Sequence, residues 1–143
     1  MSIGLPTLNS KPLTLVFKIP INGFSKFFEE LKNGKIVTTK CRRCGKLYFP
    51  PVPECGNCLS SEMDWVEIDG EGEVEAFTHV VVRPESFKQH PPYTLVIGKL
   101  KNGVKVFARL SGVSIADVKV GMKIRLKAKV VEGNEVVYEF TPV

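Results

Sequence analysis

The four cysteines of this chain fall within eighteen residues, as the pairs Cys41-Arg42-Arg43-Cys44 and Cys55-Gly56-Asn57-Cys58. Each Cys-x-x-Cys turn lets two thiolates converge on one ion, and two turns fill the tetrahedron that zinc prefers. The ten residues between the pairs form a shorter gap than is usual for this pattern, but one that suits a tight ribbon hairpin. No other feature constrains the fold as much, because zinc contributes about 10–16 kcal/mol to a small module with little core of its own. Zinc is the expected metal; iron, disulfides and free thiols are the alternatives. A site of four cysteines has no open coordination position, so one structural ion per chain is expected. Acyl transfer through a covalent thioester would need a further cysteine, and none remains.

The 143 residues make one ordinary domain or two small ones, and 43% hydrophobic against 24% charged residues marks a globular chain. Pro6, Pro12 and Pro20 interrupt the first twenty residues, which suit an arm or a short strand as well as a helix. Phe24, Phe27, Phe28 and Leu31 then recur at i, i+3, i+4 and i+7, one face of an amphipathic helix. Asn22 is placed to cap its start and Asn33-Gly34 to end it. So short a helix is marginal alone. Its aromatic face is expected to cover the protein's own core or to join a partner interface. The first apolar run, Leu13–Phe17, is too short to span a membrane and lacks a signal peptide's layout. The chain reads as cytoplasmic, where paired thiols bind metal more often than they form disulfides.

Ile36–Thr39 and Met63–Ile68 read as short strands flanking the two cysteine turns. After Gly70 and Gly72 come five strand-like runs, roughly Gly72–Val82, Tyr93–Leu100, Val104–Leu110, Met122–Glu132 and Val136–Thr141. Lys101-Asn102-Gly103 and Glu132-Gly133-Asn134 look like hairpin turns, and Ser114–Val120 like a short helical turn. Five strands with a helical element after the third suggest an OB-type barrel, with another small barrel as the alternative. The expected architecture is mainly β: an arm and helix over residues 1–36, a zinc ribbon over 37–68 and a barrel over 69–143.

The net charge of +5 is unevenly placed. Lys35, Lys40, Arg42, Arg43 and Lys46 form one basic stretch without an acid, and Lys99–Lys129 holds nine basic residues against Asp117 alone. In Lys123–Val130 the alternation is strict, with Ile124, Leu126, Ala128 and Val130 on one side. Lys105, Phe107 and Arg109 place an aromatic between two cations on one strand face. Bases can stack on such an aromatic, and coenzyme A, with an adenine and phosphates, suits the same chemistry. Phe87 and Tyr93 flank the Pro91-Pro92 loop and could cover an acyl or pantetheine arm. His79 and His90 show no local nucleophile or carboxylate constellation, and no Gly-rich phosphate loop is present. A catalytic role is therefore not expected.

The run from Cys41 to Cys58, followed by WVEIDGEGEVEAFTHVVVRP, PYTLVIGKL and VGMKIRLKAKV, resembles the prokaryotic zinc-ribbon/OB-fold proteins associated with thiolases and acyl-CoA metabolism. The resemblance covers about residues 27–143. It implies a rubredoxin-like ribbon with zinc on Cys41, Cys44, Cys55 and Cys58, followed by an OB fold. Gly56 and Leu59 depart from the family's commoner residues after the third and fourth cysteines, which bears on local turn shape only. The resemblance further implies a non-catalytic subunit that binds acyl-CoA and associates with a thiolase-type condensing enzyme, alone or together with hydroxymethylglutaryl-CoA synthase. Lipid or isoprenoid-precursor (acetoacetyl-CoA) metabolism is the expected setting. The residues expected to meet the partner are Phe24, Phe27, Phe28, Leu31, Arg42 and Arg43. A nucleic-acid-binding ribbon/OB module is the competing reading; +5 is a small excess for a protein living on phosphate contacts.

Overall fold

The computed structural model describes Lys18 and residues 23–143. Pairing a two-stranded ribbon with a closed five-stranded barrel, it has the mainly β architecture expected from the sequence. Helix α1, Ser25–Lys32, precedes ribbon strands β1, Val37–Cys41, and β2, Met63–Glu67. The barrel follows as β3, Glu71–Val80; β4, Tyr93–Leu100; β5, Lys105–Leu110; β6, Lys123–Val130; and β7, Val136–Pro142. Around the barrel the order is β3-β4-β5-β7-β6, with β6 returning to β3. The closure between β5 and β7 is parallel, through Leu110 and Phe140, while the other barrel pairs are antiparallel. A 3₁₀ turn at Ile115–Asp117 lies between the third and fourth barrel strands, with Ser114 Oγ accepting from the Ala116 amide at 3.4 Å. This is the OB arrangement. Among the described residues no helix is long and apolar enough to cross a membrane.

Alternating side chains fill the barrel. Val96, Val106, Ile124, Leu126 and Phe140 are buried, and Phe140 is completely enclosed. Gly98 makes room for it, since a Cβ there would overlap the Phe140 ring. Alternation fails at both ends of the pattern. Between Val74 and Ala76 the β3 register against β4 shifts by a bulge, which puts Glu75 and Ala76 in succession on the outer side, and Glu75 to Thr78 are all exposed. Val130, expected inside with Ile124 and Leu126, is 55% exposed because β6 runs past the barrel mouth there.

The helix ends as its sequence demands. Gly34 takes φ +79, its amide bonds to the Leu31 carbonyl, and the Lys35 amide bonds to the Glu30 carbonyl, which together make a Schellman cap. Asn22, expected at the other end, lies outside the described residues. Phe27 and Leu31 are buried in the protein's own core. Phe27 meets Phe49 of the ribbon edge-on at 6.0 Å and Tyr138 of β7 at 6.2 Å, while Phe49 and Tyr138 meet at 5.2 Å. One aromatic cluster thus joins helix, ribbon and barrel. That corrects the expectation for Phe27 and Leu31: neither can anchor a partner while it fills this seam.

Carboxylates neutralise much of the basic half of the barrel. Glu71 pairs with both Lys101 and Arg125, Glu73 with Lys123 at 3.1 Å, Glu75 with Lys105 at 2.8 Å, and Glu139 with Lys129 at 3.1 Å. Lys101 and then Arg125 hold the Glu71 carboxyl below its ordinary 4.5. A carboxylate depressed by folding stabilises above its unfolded pKa, and this is lost as pH falls through the lower folded value. Glu71→Gln is therefore expected to destabilise the barrel at neutral pH and to flatten the loss of stability below about pH 4.5. Urea midpoints measured between pH 7 and pH 3 check this; parallel curves for the two proteins would dismiss the ion-pair contribution.

Candidate metal centre and outer barrel face

Both cysteine turns are built alike. The Gly45 amide bonds to the Cys41 carbonyl and the Leu59 amide to the Cys55 carbonyl, both at 2.9 Å. Gly45 and Leu59 are accordingly both left-handed, at φ +77 and +58. These tight turns bring the four Sγ atoms within 4.8 Å of one another, with Cys41–Cys58 and Cys44–Cys55 at 3.5 Å. Four sulfurs each about 2.3 Å from a zinc ion would lie about 3.8 Å apart at the corners of a tetrahedron. The donor set therefore fits zinc, and its sulfur spacing is far from a disulfide's.

The electrostatics agree. Tyr48 Oη, 3.1 Å from Cys55 Sγ, is the chief cause pulling the Cys55 thiol down to about 5. The Ser60 amide alone would lower Cys58, but burial and the Cys41, Cys55 and Cys44 sulfurs outweigh it and push that thiol up to about 11. One thiolate forms readily and resists the next, and a bound dication relieves that repulsion. Tyr48 escaped sequence reasoning because nothing in its spacing shows that its hydroxyl folds back onto Cys55. Its backbone is fixed by Thr38, which is fully buried and donates to the Tyr48 carbonyl. Thr39 likewise exchanges hydrogen bonds with the Val52 backbone at 2.8 and 3.0 Å.

Leu59 holds a left-handed conformation with 84% of its surface exposed, so it gains nothing from packing. Leu59→Gly is expected to stabilise the ribbon by about 1 kcal/mol, net of glycine's greater chain entropy. A zinc-loaded thermal melt shows it as an upward shift; a downward shift would mean that the side chain is held by a contact.

The other expected site residues separate into groups. Phe87, Tyr93 and Arg109 come together with His90 and Leu95 around a cavity of about 330 Å³. The Arg109 guanidinium lies 5.7 Å from the Tyr93 ring centre, and Phe87 packs against His90 and Tyr93 at 5.7 and 6.2 Å. Phe107 lines a neighbouring groove of about 200 Å³ with Ala76, Phe77, Thr78, Leu95 and Ile97. Lys105 stands beyond it, tied to Glu75. On the ribbon, Arg42 forms a two-pronged pair with Asp64, Nη2–Oδ1 2.6 Å and Nε–Oδ1 3.1 Å, while Arg43 is exposed. Phe24 is half-buried and Phe28 is 36% exposed. His79 Nδ1 lies 2.9 Å from Thr94 Oγ1, and the His90 ring is tilted against Phe87 at 5.7 Å.

Two family models match consecutive stretches. Residues 28–64 match the rubredoxin-like zinc ribbon domain of ChsH2, and residues 65–129 its C-terminal OB-fold domain. A DUF35 domain-containing scaffold protein of Pyrococcus furiosus is 32% identical over 92 residues, covering 64% of this chain and 67% of that protein. The chain belongs to the DUF35 zinc-ribbon/OB-fold family. A probable enoyl-CoA hydratase alpha subunit of Thermomonospora curvata is 31% identical over 117 residues, 81% of this chain, but this chain spans 36% of its length. The benzoylsuccinyl-CoA thiolase subunit BbsA of Thauera aromatica is 27% identical over 73 residues, 51% of this chain and 49% of that one. Among solved structures, a DUF35 chain titled Ltp2-ChsH2(DUF35) aldolase superposes with a TM-score of 0.72 at 26% identity, covering 82% of this chain and 91% of that one.

Proposed function

We propose that this DUF35 protein is a non-catalytic subunit that scaffolds, and binds acyl-CoA for, a thiolase-type condensing enzyme. Support comes chiefly from its family, whose members include proteins named as scaffolds and a thiolase subunit, joined to a four-cysteine site with no open coordination position. Zinc on Cys41, Cys44, Cys55 and Cys58 would supply rigidity, fixing ribbon residues 37–68 against barrel residues 69–143. The cavity of Phe87, His90, Tyr93 and Arg109 offers aromatic faces and a guanidinium that forms no ion pair among the described residues, chemistry suited to the nucleotide or pantetheine part of coenzyme A. Acetoacetyl-CoA is the substrate this reading favours, and hydroxymethylglutaryl-CoA synthase a second enzyme that the scaffold would bring alongside.

The nucleic-acid reading is weaker. Of the nine basic residues in Lys99–Lys129, Lys101, Lys105, Lys123, Arg125 and Lys129 are already paired with carboxylates, leaving few cations to displace counterions from phosphates. The test is co-expression with a thiolase-type enzyme of the same genome, followed by calorimetry with coenzyme A. A stable complex is expected, with coenzyme A binding about tenfold weaker in Arg109→Gln. Separate elution of the two proteins, or tight salt-sensitive binding to DNA, would reject the reading.

A further inference from the structure

The outer surface of an antiparallel barrel is ordinarily polar, and β6 obeys the rule with Lys123, Arg125, Lys127 and Lys129. Strands β3, β4 and β5 do not. Their registers align Ala76, Ile97 and Phe107 in one outward row and Thr78, Leu95 and Arg109 in the next. Phe77, opposite Val96 in the same ladder, also reaches this surface, and with Ala76, Thr78, Leu95, Ile97 and Phe107 it lines the groove of about 200 Å³. Phe107 is 63% exposed, and Ile97 and Phe77 nearly 40%. Contiguous apolar surface of this kind, on a face that strand alternation would keep wet, marks a contact surface. The helix cannot be the principal one, since its best apolar residues are spent on the seam with Phe49 and Tyr138.

Charge indicates the occupant. The β4 row ends in Lys99, which faces Lys105 across the strand pair, and Arg109 stands at the opposite end of β5; among the described residues neither Lys99 nor Arg109 forms an ion pair, whereas Lys105 is tied to Glu75. The groove is thus an apolar floor with a cation outside any ion pair at each end. A second copy of this chain docking face to face about a twofold axis would set these cations against their own copies. A nucleic acid could stack on Phe107 but would find only these two cations to hold its phosphates. We infer that the Phe77–Ile97–Phe107 groove docks a protein surface made of an apolar ridge rimmed by acidic residues. Resting on the function proposed above, the inference assigns that ridge to the condensing enzyme. Arg109 then stands at the boundary between the docked enzyme and the Phe87–Tyr93 cavity, so that one guanidinium borders both.

The inference is tested by measuring affinity for the co-expressed thiolase-type enzyme by biolayer interferometry, with four zinc-loaded full-length chains. These are wild type, Ile97→Ser/Phe107→Ser, Lys99→Glu/Arg109→Glu, and Phe28→Ser/Arg43→Ser on the helix and ribbon. Ile97 and Phe107 are exposed, so the variants should fold, and circular dichroism with zinc content verifies it. The serine pair is expected to weaken binding about 100-fold. The charge reversal should weaken it about tenfold at low salt and less at high salt. The helix–ribbon pair should stay within about threefold of wild type. Groove variants that bind like wild type overturn the inference and leave the proposed function standing; a wild type that does not bind overturns both. Wild-type dimers in sedimentation, dissolved by the serine pair, would give the groove to a second copy. Single-stranded DNA binding lost in the same variant would give it to nucleic acid.

Discussion

Cys44→Ser is expected to release the metal and unfold the ribbon at temperatures where the barrel stays native. Besides the metal, the ribbon is held by one ladder from Val37–Glu67 to Cys41–Met63, the Thr38 and Thr39 hydrogen bonds, the exposed Arg42–Asp64 pair, and the packing of Val37, Ile68 and Phe49 on the core. Against these, a four-thiolate zinc site contributes about 10–16 kcal/mol in comparable modules. Losing one ligand removes a charge-assisted bond and opens a position to water. The barrel has its own closed sheet and enclosed Phe140, so it should survive. Elemental analysis should find the metal lost, and amide exchange should find residues 37–68 unprotected while 71–142 remain slow. Full zinc occupancy with normal protection would remove Cys44 from the ligand set.

Phe27→Ala is the second large effect, expected to cost about 3–5 kcal/mol. The ring is 5% exposed and sits between Phe28, Phe49 and Tyr138, so its removal leaves a void that three separate elements border. Because the seam joins ribbon to barrel, the loss should show as two unfolding transitions in place of one. Chemical denaturation followed through Trp65, on β2, and through far-ultraviolet signal from the barrel would separate them. Coincident transitions with a loss below about 1 kcal/mol would mean that ribbon and barrel are held together elsewhere.

How far the sequence could be read follows from the range of the interactions. Strand β4 was predicted to the residue, and the turn at Ser114–Val120 and the Gly34 helix stop were also legible, because periodicity and turn chemistry are local. The metal site was legible for the same reason: both halves of its ligand set are short motifs. The β3 bulge was not, although Val74 and Phe77, three residues apart, break a period of two and hint at it. Glu71, Glu73 and Glu75 alternate along one strand, and nothing local shows that each closes an ion pair with a strand that is distant in sequence. Phe24, Phe27, Phe28 and Leu31 form one helical stripe in the sequence. Only tertiary packing divides it, burying Phe27 and Leu31 and leaving Phe28 at the surface. The outward apolar row likewise needs cross-strand register, which joins Ala76 to Ile97 and Ile97 to Phe107.

The central claim, that this chain acts by holding another enzyme and not by turnover, is most directly tested by assaying the zinc-loaded chain alone and in its purified complex. Hydrolysis, hydration and thiolytic cleavage of acetoacetyl-CoA and longer acyl-CoA substrates would be followed by thiol release and absorbance. The account predicts no rate above buffer for the isolated chain, and condensing-enzyme turnover in the complex that is unaffected by replacing His79. Turnover by the isolated chain that co-elutes with it through gel filtration and disappears when either histidine is replaced would contradict it.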